Sequence, residues 1–200
     1  MRGFTLFEVM ISISLLGVLF LLVSSAFFSA NRMVGSTERY ALRVDEIRAS
    51  QHFLREALQG VRAIFWPVEM GENGKVFEGD FHRIRFAAPA PASVGERLKI
   101  YQLESSKIGI SEFQLQISFF ELDSLKPWGK TQVLMRDLRQ VQLSYSGLDE
   151  RNTNTGWLAK WPWPERLPQF VRIEIEVDGP VPWPSMTVAL RSGIPPTSVR

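Results

Sequence analysis

The most unusual chemical feature of this sequence is a carboxylate, Glu8, at the start of a long apolar segment. Residues 9–31 carry no charged side chain, and the apolar run 9–30 is 22 residues long. An ionisable group at a membrane boundary costs free energy and usually marks a function. From this residue alone two interpretations stay open: a side chain that snorkels into the headgroup zone, or a buried charge that needs a positive partner.

Other side chains with catalytic or metal-binding chemistry are scattered. The chain has no cysteine, which excludes disulfides, thiolate nucleophiles and Cys-ligated metals. His52 and His82 belong to no motif with a serine nucleophile or further metal ligands. We therefore expect no catalytic residue, no metal site and no cofactor. The following residues have the oxygen atoms of calcium ligands but not the spacing of a calcium loop, and are interpreted as a solvated acidic loop: Glu69, Glu72, Asn73, Glu78 and Asp80.

Tryptophan and proline are concentrated between residues 157 and 184. Tryptophan is enriched in interface hot spots, which makes this region a candidate partner-docking surface. For any one of these rings, packing in a core or bracing of a loop is the alternative. The candidates are Trp157, Trp161, Trp163 and Trp183. The net charge is only +2, and no basic cluster is interleaved with aromatic residues, so nucleic acid is not expected as a partner.

The apolar run that follows Glu8 must position that carboxylate. As a helix with a rise of about 1.5 Å per residue, the run spans roughly 33 Å, which is enough to cross a hydrocarbon core. It is longer than the apolar region of a secretory signal peptide. Small residues near 24–30 leave ordinary signal-peptide cleavage as an alternative. The sequence thus predicts a transmembrane helix over 4–30.

A second helical pattern follows the apolar run. Residues compatible with a buried stripe recur at spacings of four and three, which predicts that the helix continues over 31–66. They are Tyr40, Val44, Ile47, Gln51, Leu54, Leu58 and Val61. Docking of this stripe on a C-terminal domain is favoured over a stand-alone coiled coil. Gly60 weakens the end of the helix and Pro67 ends it.

The remaining chain is predicted to be an α+β head domain over 67–192 that is mainly antiparallel β. Alternating patterns predict strands at 83–86, 98–103, 113–120, 141–145 and 170–177, with an edge strand at 187–191. Loops are predicted at 70–75, 88–95, 126–129 and 149–156 from their glycine, proline and polar residues. The tail 193–200 lacks a hydrophobic pattern and is predicted to be disordered.

The phrase Gly3-Phe4-Thr5-Leu6-Phe7-Glu8, followed directly by the apolar run, resembles the processing site of type IV pilins and pseudopilins. The resemblance implies a leader over 1–3, cleavage after Gly3 by a prepilin peptidase and N-methylation of Phe4. It also implies that Glu8 pairs with the terminal amine of a neighbouring subunit. A cytoplasmic peptidase requires the C-terminal part to be periplasmic. The basic residues Arg32, Arg39, Arg43 and Arg48 would by themselves favour the opposite orientation.

Within this family, the head is most similar to the J-type minor pseudopilins of type II secretion. The patterns that carry this similarity lie at 52–58, at 133–134 followed by 141–145, and at Trp157 followed by 167–173. The resemblance implies a non-catalytic subunit at the tip of a periplasmic pseudopilus, anchored in the inner membrane of a Gram-negative bacterium. Its implied partners are the I- and K-type minor pseudopilins, the major pseudopilin and the inner-membrane assembly platform. Two alternatives stay open: a minor pilin of a type IV pilus, and a membrane-tethered periplasmic enzyme or binding module.

Overall fold

The first element is a single long helix. A computed structural model describes residues 5–67, 74–91, 97–109 and 112–190, without the side chains of 27 and 29–39. Helix α1 spans Leu6–Gln59. The predicted leader and the predicted disordered tail lie outside the described residues.

The end of α1 corrects the prediction of a helix over 31–66. The Gly60 amide donates a last helical hydrogen bond to the Glu56 carbonyl (2.9 Å). The chain then leaves the helix, and Arg62 and Trp66 form isolated bridges with Ala87 and Lys75. Gly60 therefore ends the helix before Pro67 is reached, as expected from the low helix propensity of glycine.

The chain forms two compact units, Met1–Val44 and Asp45–Arg200. The described part of the first unit is helix α1 up to Val44. The second unit contains the remainder of α1 and one antiparallel sheet. The strands follow one another in chain order: β1 Phe77–Gly79, β2 Arg83–Pro89, β3 Leu98–Ile108, β4 Glu112–Glu121, β5 Pro127–Ser146, β6 Phe170–Val177 and β7 Met186–Ala189.

Within the second unit, α1 packs on one face of this sheet. Ile47, Leu54 and Leu58 are all at most 4% exposed. The Phe53 ring meets Tyr101 of β3 at a centroid distance of 6.5 Å, and the Ser50 hydroxyl donates to the Leu134 carbonyl of β5. The predicted α+β class, with a helix docked on an antiparallel β head, is confirmed.

The segment after α1 covers part of the opposite face. Alternation along a strand places Ala87 and Ile100 on the face away from Phe86 and Tyr101. Trp66 is 2% exposed and packs with Ala87 and Ile100 in a second small core. Both faces of the β2–β3 region are therefore buried.

The edge of the sheet at β1 is also covered. The amides of Val76 and Phe77 both donate to the Pro164 carbonyl, and the Trp161 amide donates to the Gly79 carbonyl. An exposed strand edge is a template for unwanted pairing. The tryptophan and proline segment closes this edge.

The strand predictions are right in position and wrong in length. Strand β6 has the predicted bounds, whereas β5 begins at Pro127 and includes residues 127–129 of the predicted loop 126–129. The turn instead lies before it, where Leu125 donates to Glu121 and Glu121 donates to Lys126. Strand β2 also continues to Pro89, into the predicted loop 88–95. The short strand β1 was not predicted.

Candidate functional site

The predicted assembly residues lie at the beginning of α1. Gly3 and Phe4 are outside the described residues, and the helix begins two residues after Phe4, at Leu6. Thr5 is its N-cap, because its hydroxyl oxygen accepts a hydrogen bond from the Glu8 amide (3.4 Å) and its carbonyl accepts one from the same amide (3.1 Å). Such a cap satisfies a helix amide that has no partner within the helix.

Glu8 stands at the third position of the helix, on its exposed surface. A carboxylate is favoured in the first turn, where the helix dipole is positive. Thr5-Leu6-Phe7-Glu8 also has the spacing of a capping box, in which glutamate or glutamine follows the cap by three residues. The predicted site residues do not include Thr5, although the capping-box spacing is visible in the sequence.

The apolar helix that carries Glu8 is unpacked within the chain. Leu6–Ala26 is long and apolar enough to cross a membrane, with a mean hydropathy of 2.6, and none of this segment is buried. Ser12 and Ser14 donate their hydroxyls to the carbonyls of Glu8 and Met10 (2.7 and 2.8 Å). These polar groups are therefore satisfied within the helix, as a lipid environment requires. The segment is a single-pass membrane anchor.

Two of the four candidate tryptophans are buried in the head, which is the packing alternative for these rings. Trp161 is 3% exposed and donates its ring N–H to the Arg166 carbonyl (2.9 Å). Trp183 is 7% exposed and donates to the Ile173 carbonyl (3.4 Å). A side chain at position 147 would bring its Cβ to 2.8 Å from Trp161, so Gly147 makes room for that ring. Both rings brace the head and are not presented to a partner.

The other two tryptophans are more accessible. Trp157 is 41% exposed, and the Arg172 guanidinium lies 3.7 Å from its ring centroid. Trp163 is half-buried, packs edge-on against Trp161 and donates to a Glu150 carboxylate oxygen at 3.2 Å. Only these two of the four candidates remain available for docking.

The acidic residues weighed as calcium ligands have other partners where the structure describes them. Glu78 pairs with Lys75 at 2.9 Å and with Arg85 at 3.3 Å. Asp80 accepts hydrogen bonds from the amides of His82 and Arg83. The remaining three, Glu69, Glu72 and Asn73, lie outside the described residues. The described part of the chain contains no cluster of three acidic, histidine or cysteine side chains suited to a metal ion.

The two histidines are not brought together. His52 is exposed on α1, and His82 is exposed beside Phe81, whose ring meets it edge-on at 4.8 Å. Neither side chain is hydrogen-bonded to a serine in the contacts of the described residues. Within the described residues, neither histidine is therefore placed as the base of a serine nucleophile.

Comparisons with known proteins find similarity in the N-terminal segment and along most of the chain. Residues 1–24 match the family model of the prokaryotic N-terminal methylation motif. Over 196 residues, the chain is 34% identical to the type II secretion system protein J of Xanthomonas campestris pv. campestris. That alignment covers 94% of this chain and 92% of the relative. The similarity thus includes the head as well as the anchor.

Proposed function

We infer the function from the family: the chain belongs to the type II secretion system protein J family and is a minor pseudopilin. The observation that carries this conclusion is the 34% identity over 94% of the chain, which extends through the head. A methylation motif alone is shared with the subunits of type IV pili. Since the whole-length similarity is to a secretion protein, type II secretion is favoured over a type IV pilus.

The membrane anchor and the head suggest where the subunit works. We propose that Leu6–Ala26 crosses the inner membrane and that the head is periplasmic. The support is a prepilin-type leader, which a peptidase on the cytoplasmic side must reach.

Processing of the N-terminus is the first proposed step. A prepilin peptidase cuts after Gly3, and the new terminal residue Phe4 is methylated. The described helix begins at Leu6, on the mature side of this bond, and Thr5 caps it. The helix therefore keeps its cap after the leader is removed.

Glu8 is the proposed assembly residue. In lipid a carboxylate without a partner is costly, and a positive group beside it removes much of that cost. The amine of Phe4 in a neighbouring processed subunit provides such a group. Pairing of this amine with Glu8 sets the axial register of the incoming subunit.

We propose that the subunit lies at the tip of the pseudopilus and helps to initiate its assembly. Its partners there are the I- and K-type minor pseudopilins and the major pseudopilin, and assembly takes place on an inner-membrane platform. The role is structural. In support, the described head presents neither a paired nucleophile and base nor a cluster of metal ligands.

A substitution at the cleavage site tests this function. With Gly3→Leu, we expect uncleaved, unmethylated precursor in the membrane, because the branched side chain occupies space that glycine leaves open to the peptidase. Gly17→Ala is the control, since a Cβ added there meets nothing within 4 Å. Intact-mass measurement of the purified chain distinguishes the forms. A mature mass for Gly3→Leu, equal to that of wild type, contradicts the proposal.

A further inference from the structure

A cleft opens in the head between the end of α1 and strands β2 and β3. Its volume is about 480 Å³, which lies within the usual range of ligand sites, roughly 300 to 1,000 Å³. Phe53, Ala57 and Gly60 form the helical side, and Tyr101 with the segment from Ala88 to Pro91 forms the opposite side. Among the described residues that line the cleft, the one charged side chain is Glu56.

The aromatic wall of the cleft is held in place by its surroundings. Tyr101 stacks on Phe86 at a centroid distance of 5.3 Å and meets Phe119 edge-on at 4.8 Å. Its hydroxyl donates to the Pro89 carbonyl at 2.7 Å. Burial raises the pKa of Tyr101 to about 12, and the negative charge of Glu56 adds to this effect. The ring therefore stays neutral at physiological pH and keeps its hydrogen bond.

The Glu56 carboxylate is not used in an ion pair among the contacts of the described residues. Glu78, Glu121 and Asp178 each contact a lysine or arginine at 3.3 Å or less. Glu56 is exposed on the helix, at the cleft, without such a contact. The cleft thus combines aromatic rings, apolar aliphatic surface and one available negative charge.

We propose that this cleft binds an arginine side chain presented by a partner subunit. The aliphatic stem of arginine fits the alanine and proline surface, its planar guanidinium can stack on the half-buried Phe53 ring, and its N–H groups donate to the Glu56 carboxylate. Two contacts within the chain show the same stacking: Arg172 over Trp157 at 3.7 Å and Arg85 over Phe120 at 5.5 Å. The proposed function supplies only the expectation that the arginine belongs to another pseudopilin.

Fluorine NMR on the full-length chain in detergent tests the site. The chain has three tyrosines, so 3-fluorotyrosine gives few resonances, and Tyr101→Phe identifies the one from the cleft. The probe is the peptide acetyl-Gly-Arg-Gly-amide. The reference is the same peptide with citrulline, which has nearly the shape of arginine without its charge.

We expect the arginine peptide to shift the Tyr101 resonance saturably and to bind at least threefold more tightly than the citrulline peptide. Glu56→Gln should remove this preference. Asp45→Asn should retain it, because it removes the same charge from an exposed position on the same helix, about 16 Å away at 1.5 Å per residue.

Three results would overturn the proposal: no saturable shift, equal binding of the two peptides to wild type, or the same loss of preference in both variants. Equal binding would show that the positive charge of arginine contributes nothing to recognition. Each of these results leaves the pseudopilin function intact, because that function is tested separately by processing at Gly3.

Discussion

Glu8 has two properties that the structure separates, a negative charge and a side chain that can complete a helix cap. The hydrogen bond from its amide to the Thr5 hydroxyl shows that the first turn is capped. Glutamine and glutamate both suit the third position of a capping box. The charge, by contrast, belongs only to glutamate.

Glu8→Gln therefore isolates the charge. We expect normal membrane insertion and normal cleavage, because helix start and apolar span are preserved, but incorporation into pseudopili at least several-fold below wild type. Glu8→Ala, which loses both properties, should be no better. Cross-linking of the subunit to sheared pseudopili measures incorporation. Wild-type incorporation of Glu8→Gln would show that the residue acts only as a cap.

For single residues, the sequence predicts the chemistry of a side chain better than it predicts whether that side chain is exposed. Glu8 is conspicuous because an acid at the head of an apolar run is unusual. The four tryptophans look alike in sequence, yet Trp161 and Trp183 are buried and Trp157 is not. The difference depends on contacts with distant residues such as Gly147 and Ile173, which no local pattern contains.

The longest strand, β5, is bent by a residue in an unusual backbone conformation. Asp137 has φ = 55°, and the pairing of β5 shifts register beside it, between Leu138 and Gln140. Its carbonyl accepts a hydrogen bond from the Asp178 amide at 2.9 Å. This is a bulge, and the left-handed conformation costs most for a β-branched residue.

Two substitutions test this bulge, and their order of stability should be the reverse of the order of their strand propensities. Both Asp137→Gly and Asp137→Val remove the carboxylate, so their difference reports the backbone. We expect Val to be less stable than Gly by about 1–2 kcal/mol. Gln132→Val, at an exposed position of the same strand, should change stability by less than about 0.5 kcal/mol.

Urea unfolding of the full-length variants in detergent measures these differences. Equal stability of the two Asp137 variants, or a Val variant more stable than the Gly variant, would contradict the prediction. It would show that strand propensity, and not the left-handed backbone of the bulge, determines stability at this position.

The strands that sequence patterns predicted well are those with regular alternation. In β6, Val171, Ile173 and Ile175 are buried, whereas Glu174 and Glu176 are exposed. The first half of β5 is mostly exposed, pairs only with β4 and contains Pro127 and Gly129. Pairing with one neighbour, and not burial, holds it as a strand. Such pairing leaves little signal in the sequence itself.

On the scale of the whole molecule, a continuous helix belongs to two units. The composition of the sequence indicates domain boundaries at the end of the apolar run and at Pro67. The contacts within the structure instead divide the chain into two units after Val44. The buried residues Ile47, Leu54 and Leu58 all follow that point. The head therefore carries the part of α1 that fills its core.

We accordingly expect a chain that begins at Asp45 to fold as a soluble head. A chain that begins at Gly60 should not fold, because it leaves the sheet surface around Phe86 and Tyr101 uncovered. Loss of Leu54 and Leu58 alone removes about 3–6 kcal/mol of burial, which is comparable to the stability of many domains. Near-ultraviolet circular dichroism and cooperative thermal unfolding distinguish the two. Cooperative folding of the shorter chain would contradict this assignment of the core.

The bare surface of Leu6–Ala26 also determines where free subunits can be. Transfer of more than ten large apolar side chains from lipid to water costs on the order of 20 kcal/mol, so escape into the aqueous phase is negligible. Free subunits are therefore confined to the membrane. Their concentration is a number per unit area of membrane and does not depend on the surrounding aqueous volume. Subunits must then meet one another by lateral diffusion within the membrane.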